Sequence, residues 1–370
     1  MIDPQHMQRC VLSALCNPAD YAAPPPPALT LPETPPAGPL EPWLRKAVAR
    51  AFADSADLSL SAGLDSSLLL ALAVAEGFSP VCWTLVRNDD VEGTEPQEAA
   101  SFATSMGSGC YGINLLDAEL PEYFADAVRA AGVPVYNAAG VRWFLYHRRI
   151  AKGGATRLVS GVGADEIFFG QPQQFHDLQF LAARVPECEL ARQWLKPSFR
   201  RHAQVAMPQA RGLAASQTLR LDTEFSGSTL PVRANAASAA RLEYRLPYMD
   251  AFVRGWAAAQ PADSLAAQGG KSALRELARK FLPPAVVDRP KRPGMAGLLR
   301  PDEVHQSWLG TLRSLLAPHR LEPLRVLDER AVLAALSRYA TAPDEALDRA
   351  LLKLASLVVL TESEQWPASF

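Results

Sequence analysis

The sequence has little net charge, few cysteines and only short hydrophobic runs. Lys and Arg number 37 against 39 Asp and Glu, which gives a net charge of −2 and indicates no polyanionic partner such as nucleic acid. The five cysteines form no CxxC pair, so neither a disulfide framework nor a zinc site is indicated. The longest apolar run, LLLALAVA, is too short to span a membrane, and we expect no secretory signal. These absences predict a cytoplasmic protein.

What is present is an alternation of short apolar runs and amphipathic segments. Residues 1–42 form an N-terminal segment whose proline-rich part we interpret as an extended linker or a wrapping arm. Strands that alternate with helices over 43–172 predict an α/β fold with a parallel sheet flanked by helices. Beyond that point the strand signal fades, and 173–370 is predicted to be a helical region that closes over the active site. The strands are predicted at 57–60, 81–86, 110–115 and 156–160.

The turn after the first predicted strand carries three hydroxyls and a carboxylate within LSAGLDSS, residues 60–67. Ligands bind at the carboxyl ends of strands in open parallel sheets. Gly63 can take a positive φ, and the helix that begins near Asp65 presents its positive end to an anion. Ser61 and Ser66 can donate to phosphate oxygens, whereas Asp65 requires a bridging cation such as Mg²⁺. The turn therefore suits Mg-ATP; the alternative is an ordinary connection in which Ser and Asp cap the helix.

Four motifs together resemble one known family. They are LSAGLDSS (60–67), VSGVGADEIFFG (159–170), LEYRLPYMD (242–250) and KSALRELARKFLPPAVVDRPKRPG (271–294). In this order, the four motifs resemble those of the asparagine synthetase-like branch of the PP-loop ATP pyrophosphatases. That branch includes asparagine synthetases, β-lactam synthetases and lasso-peptide cyclases. The resemblance implies a PP-loop sheet of the adenine nucleotide α-hydrolase-like type. It also implies that ATP adenylates a carboxylate, pyrophosphate leaves, and an amine attacks the acyl-adenylate to form an amide.

The resemblance also implies roles for particular residues. Asp165 follows a second strand and can face Asp65 across the sheet, so that the two carboxylates hold Mg²⁺ on the triphosphate. Lys291 would reach the α-phosphate and contribute about 3–4 kcal/mol of transition-state stabilisation. Lys271 and Glu166 complete the catalytic set. The residues that would contact ATP are Leu60, Ser61, Gly63, Asp65, Ser66, Leu85, Ser160 and Gly161, with Leu85 contacting adenine through its backbone.

Each of these roles has a structural alternative. Asp165 and Glu166 could be acids that complement a helix dipole, and Lys291 could be a solvated surface lysine. Lys271 and Arg275, one helical turn apart, could form an exposed basic face. The remaining charges of the third motif, Glu243, Arg245 and Asp250, are predicted to form an internal ion-pair network.

Three departures from the family pattern bear on the substrate. Ala62 replaces a family glycine and would be strained at positive φ. Val162 stands where relatives carry a Glu or a Tyr near the incoming amine, and the helix before Glu243 is one residue shorter and lacks an expected acid. Ile2 follows Met1, so we expect no glutaminase domain, whose catalytic Cys would follow Met1. Candidates for a replacement base are Glu166, Tyr136 and His147.

The sequence thus predicts a stand-alone ATP-dependent synthetase that joins a small-molecule or peptide carboxylate to an amine. The alternatives are an ammonia-dependent asparagine synthetase, against which Val162 argues, and a non-catalytic descendant that binds a nucleotide or a partner. No nucleic-acid or membrane partner is expected, and a homodimer is left open.

Overall fold

The structure is a computed structural model. It describes Val11, Leu15 and residues 31–87, 95–201, 203, 212–226, 229–289 and 303–363. Within this part of the chain, no helix is long and apolar enough to cross a membrane.

Five parallel strands form one sheet with the order β3-β2-β1-β4-β5. Their bounds are β1 (Asp57–Ser59), β2 (Cys82–Arg87), β3 (Cys110–Leu115), β4 (Arg157–Val159) and β5 (Glu243–Arg245). The first four confirm the predicted strands. The fifth lies in the region that was predicted to be helical, and it pairs with β4 through Tyr244 opposite Leu158. Its three residues are too few to show a two-residue alternation.

Helices cover both faces of the sheet and make up most of the rest of the described residues. In chain order they are α1 (Leu40–Phe52), α2 (Leu64–Ala75), α3 (Glu95–Ser105), α4 (Leu120–Ala131), α5 (Ala138–Lys152), α6 (Ala164–Ile167), α7 (Gln179–Ala182), α8 (Val185–Gln193), α9 (Pro197–Arg200), α10 (Leu213–Ser226), α11 (Thr229–Ala239), α12 (Ala251–Ala258), α13 (Ala262–Ala266), α14 (Ser272–Ala278), α15 (Pro284–Val287), α16 (Glu303–Leu315), α17 (Pro318–Leu321), α18 (Glu329–Thr341) and α19 (Glu345–Thr361). The α/β class with a helical C-terminal region is therefore confirmed.

The sheet separates two hydrophobic cores because successive residues of a strand point to opposite faces. Cys82 and Val159 belong to the core that α1 and α2 cover. Trp83 and Leu158, their chain neighbours, belong to the core that α4 and α5 cover. The second core continues into the C-terminal helices, where α19 is buried from Ala350 to Leu360.

The described part of the proline-rich segment lies against α12. The indole nitrogen of Trp256 donates to Gly38 O at 2.8 Å, and that of Trp43 donates to Ala37 O at 3.2 Å. Gly255 allows this approach, because a Cβ there would lie 2.7 Å from a ring carbon of Pro32. This described part of the chain thus packs on the folded body, and the choice between a linker and a wrapping arm stays a prediction. The domain boundaries themselves stay predictions.

Candidate active site

The turn after β1 is closed by its own hydroxyl groups. The backbone N–H of Ser61 donates to Ser66 Oγ at 3.0 Å, and that hydroxyl donates back to Ser61 O at 3.0 Å. Gly63 N–H donates to Ser61 Oγ at 3.1 Å. The predicted positive φ of Gly63 is wrong, since its φ is −79°. Glycine is favoured there because space is short: a Cβ would lie 3.2 Å from Ser61 Oγ.

Ala62, which stands in place of a family glycine, causes no backbone strain in this chain. Ala62 is not among the residues with positive φ, and its methyl group is buried. Its carbonyl oxygen accepts a hydrogen bond of 2.7 Å from Arg289. The peptide between Ala62 and Gly63 is therefore held on both sides, by Arg289 at its oxygen and by Ser61 at its nitrogen.

A second turn follows β4 and packs onto the first. Gly163 has a φ of 99°, a conformation that favours glycine, and it precedes the short helix α6. Gly161 touches the start of α2, because a Cβ there would lie 3.2 Å from the Cβ of Asp65 and 3.4 Å from the nitrogen of Ser66. The carboxyl ends of β1 and β4 thus bring Asp65 and Asp165 to one place, as expected from parallel strands.

Lys271 lies between these two carboxylates. Its ammonium donates to Asp65 Oδ2 at 2.5 Å and forms an ion pair of 2.6 Å with Asp165 Oδ1. Burial opposes the charged form of Lys271, but the two carboxylates outweigh it and raise the pKa of the amine above its ordinary value. The lysine therefore carries its positive charge, and the alternative of an exposed basic face is wrong because the residue is 7% exposed.

Backbone geometry fixes where Lys271 begins its side chain. The residue has a left-handed conformation, with φ 58° and ψ 31°, and its N–H donates to Phe168 O at 2.8 Å. Two glycines permit this approach. A Cβ on Gly270 would collide with Phe169 O, and a Cβ on Gly170 would collide with Asp165 Oδ1. Strained residues held by their surroundings cluster at functional sites.

Glu166 contacts α10. Its carboxylate lies 3.6 Å from the guanidinium of Arg220, and both side chains are largely buried. Gln217 of the same helix donates to the carbonyls of Glu166 and Ile167 at 3.1 and 2.7 Å. These contacts join α6 to α10, and the catalytic role of Glu166 stays a prediction.

The segment that leads to Lys291 is anchored beside the first turn. Arg289 pairs with Glu98 of α3 at 3.1 Å in addition to its bond to Ala62. Arg275 donates to Gly270 O at 3.2 Å, so it supports the backbone that presents Lys271. Lys291 itself lies outside the described residues, and its role stays a prediction.

A cluster that sequence reasoning missed borders the second turn on the α5 side. Arg233 of α11 stacks on the ring of Trp143, with its guanidinium carbon 4.2 Å from the ring centroid. Burial raises the pKa of the Tyr244 hydroxyl, while the positive charge of nearby Arg233 opposes that shift. Neither residue stood out in the sequence, because the contacts join α11 and β5 to α5, which lies far from both along the chain.

Two of the base candidates have surroundings that bear on that role. His147 is fully buried against the ring of Tyr244, and burial, with nearby Arg233, lowers its pKa to about 3. A histidine with so low a pKa is a weak base at neutral pH. Tyr136 is half-buried and lies under the guanidinium of Arg184 at 5.5 Å.

The other predicted positions are accounted for as follows. Leu60 is buried at the end of β1, and Leu85 pairs with Ile113 near the end of β2. Ser160 donates its N–H to Arg245 O at 2.9 Å, which continues the β4–β5 pairing. Phe144, Phe168, Phe169 and Phe175, beside the second motif, are all buried in the hydrophobic cores. The predicted ion-pair network is present in part: Glu243 contacts Arg157 and Arg245, and Asp250 contacts Arg50.

A parallel sheet with two turns on adjacent central strands, each leading into a helix, defines an α/β fold of the PP-loop type. The family model described as asparagine synthase matches residues 40–362, and the chain belongs to that family. A comparison with curated proteins finds no match. Membership identifies an ATP-dependent ligase family and leaves the particular substrates open.

Proposed function

We propose that this protein is an ATP-dependent synthetase that adenylates a carboxylate, releases pyrophosphate and passes the acyl group to an amine. The observation that carries the proposal is the convergence of Asp65, Asp165 and Lys271 at the ends of β1 and β4. A turn of hydroxyl and N–H groups beside carboxylates that share a cation suits a triphosphate that arrives with its own metal ion. The family match supports the same class of reaction.

Magnesium fits this site as a partner of ATP. Asp65 and Asp165 both place an oxygen within 2.6 Å of one ammonium, so they already share a cation. Among the described residues, no group of three or more His, Cys, Asp or Glu side chains could hold a metal. Magnesium commonly takes one or two carboxylates and completes its shell with phosphate oxygens and water. Bound there, it would neutralise charge on the triphosphate.

The chain's own groups would do the remaining work. The turn at Ser61–Gly63 would orient the phosphates, and Lys271 would offset the charge that grows on the leaving pyrophosphate. By the family resemblance, Lys291 would stabilise the α-phosphate as the amine attacks. Preorganised donors of this kind act best where water is excluded.

On the acceptor side, Val162 can neither accept a proton nor hydrogen-bond through its side chain. We therefore propose an amine other than ammonia and a carboxylate other than aspartate, in the biosynthesis of a specialised metabolite or peptide product. The substrates would be the chain's main partners. A cytoplasmic location is also proposed, and a homodimer is left open.

The test is ATP–pyrophosphate exchange across a panel of carboxylic acids, with wild type compared with Asp165→Ala. We expect exchange with one acid and its loss in the variant, while Asp263→Ala, at an exposed aspartate of α13, exchanges like wild type. Some synthetases need both substrates bound, so a panel without exchange is repeated with amines present. Formation of asparagine from ammonia would replace the proposal by an asparagine synthetase. Failure to bind Mg-ATP in calorimetry would replace it by a non-catalytic descendant.

A further inference from the structure

Lys271 fills the point at which the two proposed metal ligands converge. Its ammonium lies 2.5 Å from Asp65 Oδ2 and 2.6 Å from Asp165 Oδ1. Magnesium binds carboxylate oxygens at about 2.0–2.1 Å. An ion bridging the same two oxygens would claim the volume of the ammonium and repel its charge. Lysine and metal therefore exclude each other between these carboxylates.

The side chain of Lys271 can leave this point without moving its backbone. The backbone is fixed by the bond from its N–H to Phe168 O and by the close approach of Gly270 to Phe169. The four-carbon stem of a lysine still rotates about its own single bonds. A triphosphate on the turn at Ser61–Gly63 would offer the ammonium new anionic partners in the same cleft.

The protein alone offers the metal little else. Asp65 and Asp165 provide carboxylate oxygens, but no larger cluster of ligating side chains exists within the described ranges. Magnesium requires near-octahedral coordination, so the remaining ligands must come from phosphate oxygens and water. A triphosphate brings its own oxygens, so it would favour binding of the metal ion and would also give the ammonium of Lys271 a new partner.

We propose, building on the proposed function, that Lys271 is the counter-ion that keeps divalent metal out of the Asp65–Asp165 pair until a nucleoside triphosphate takes over its ammonium. Metal and nucleotide then enter together, and metal alone does not. The residue sets the order of binding in addition to any role in the chemical step.

The test measures Mn²⁺ binding by electron paramagnetic resonance in the absence of nucleotide, for wild type, Lys271→Met and Lys271→Gln. Removal of the competing charge is expected to tighten Mn²⁺ binding at least about tenfold. A further Asp165→Asn change should abolish the gain. Lys280→Met, at an exposed lysine paired with Glu41, should bind Mn²⁺ like wild type. Circular dichroism identifies any variant that fails to fold, and the Gln variant then replaces the Met variant.

Equal Mn²⁺ affinity in wild type and the Lys271 variants would overturn the inference, whether that affinity is high or undetectable. Tight Mn²⁺ binding by wild type without nucleotide would by itself overturn the inference. Mg-ATP binding by wild type is measured separately in calorimetry. Its absence would count against the proposed function, whereas Mg-ATP binding combined with unchanged Mn²⁺ affinity would count against the order of binding only.

Discussion

Among the described residues two lysines are buried, and they lie in very different surroundings. Lys353 lies inside α19, a regular helix of 17 residues, and donates to Glu187 of α8 at 3.0 Å. Lys271 starts a helix from a left-handed backbone and meets Asp65 and Asp165, which follow two different strands. The side chains of the first pair are each 1% exposed, whereas the two aspartates at Lys271 are 24% and 26% exposed.

The difference shows that burial of a charge does not by itself mark a functional site. A buried pair in regular structure fixes how two helices pack, and removal of one partner leaves an uncompensated charge. For a cation shared by two partly exposed carboxylates, on turns shaped by Gly170 and Gly270, we propose instead an exchange of partners. Local strain and access to solvent are what distinguish the second arrangement.

Substitution of each lysine by Met should give opposite results. Lys353→Met should lower the free energy of unfolding by about 3–5 kcal/mol, because Glu187 stays buried without its cation. Lys271→Met should lose less stability but reduce pyrophosphate exchange about 10²–10³-fold. Urea unfolding and exchange assays measure the two effects. The contrast fails if a folded Lys353→Met protein loses exchange as severely as the Lys271 variant.

Gly170→Ala tests whether the fit around Lys271 matters as much as its charge. The new Cβ would collide with Asp165 Oδ1 and lie 2.6 Å from the Cε of Lys271, so both groups must shift. A displacement of about 1 Å at a reacting centre can cost about 10²-fold in rate. The matched control is Gly310→Ala in α16, where nothing lies within 4 Å of an added Cβ. Exchange at the wild-type rate in the Gly170 variant would contradict the role of this contact.

Much of this arrangement could be predicted from the sequence, because its main signals are local. Four of the five strands follow from short apolar runs, and the meeting of Asp65 and Asp165 follows from the rule that parallel strands end at one edge. The strand at Glu243–Arg245 could not be predicted, since it is three residues long and charged at both ends. It exists because β4 offers it an edge to pair with.

The partner of the two carboxylates could not be predicted either. Lys271 follows a glycine pair in GGKS, and nothing local indicates that its backbone is left-handed or that its ammonium is buried. Both properties depend on contacts with Phe168 and Gly170, which are about a hundred residues away in the chain. Long-range packing also explains why Arg233 and Tyr244 could not be picked out, since their contacts with Trp143 and His147 depend on how α5 packs against α11 and β5.

Arg289→Gln should weaken nucleotide binding by a smaller factor than the one by which Lys271→Met or Gly170→Ala reduces pyrophosphate exchange. The variant loses the charged hydrogen bond to Ala62 O and the ion pair with Glu98, so the turn at Ser61–Gly63 loses contacts that hold it from outside. Charged hydrogen bonds contribute about 1.5–3 kcal/mol, which predicts a Kd for Mg-ATP raised about tenfold or more in calorimetry. Arg279→Gln is the control, because its pair with Asp288 is exposed. If Arg289→Lys restores the affinity for Mg-ATP, the positive charge of Arg289 matters rather than the shape of its guanidinium. Equal affinities of wild type and Arg289→Gln would show that Arg289 does not support the turn.

The region of Lys353 also contains a buried acid whose charge depends on pH. Tyr339 donates to Asp348 Oδ1 at 2.6 Å between α18 and α19. Burial raises the pKa of Asp348 from 3.8 to about 7, although the bond from Tyr339 opposes the shift. The folded state therefore holds a proton that the unfolded state has lost between pH values of about 4 and 7. The contribution of this group to stability is present at low pH and is lost as the pH rises through that window.

Asp348→Asn should remove this dependence without affecting catalysis. The amide cannot ionise, and its oxygen can still accept from Tyr339. Against wild type, the variant should gain stability as the pH rises from about 4 to about 7, by at most about 1.4 kcal/mol per pH unit. Urea unfolding across this range measures the gain, and exposed Asp126→Asn should show none. A parallel pH dependence in wild type and variant would contradict the shifted pKa, and a change in pyrophosphate exchange would join this acid to the site at Lys271.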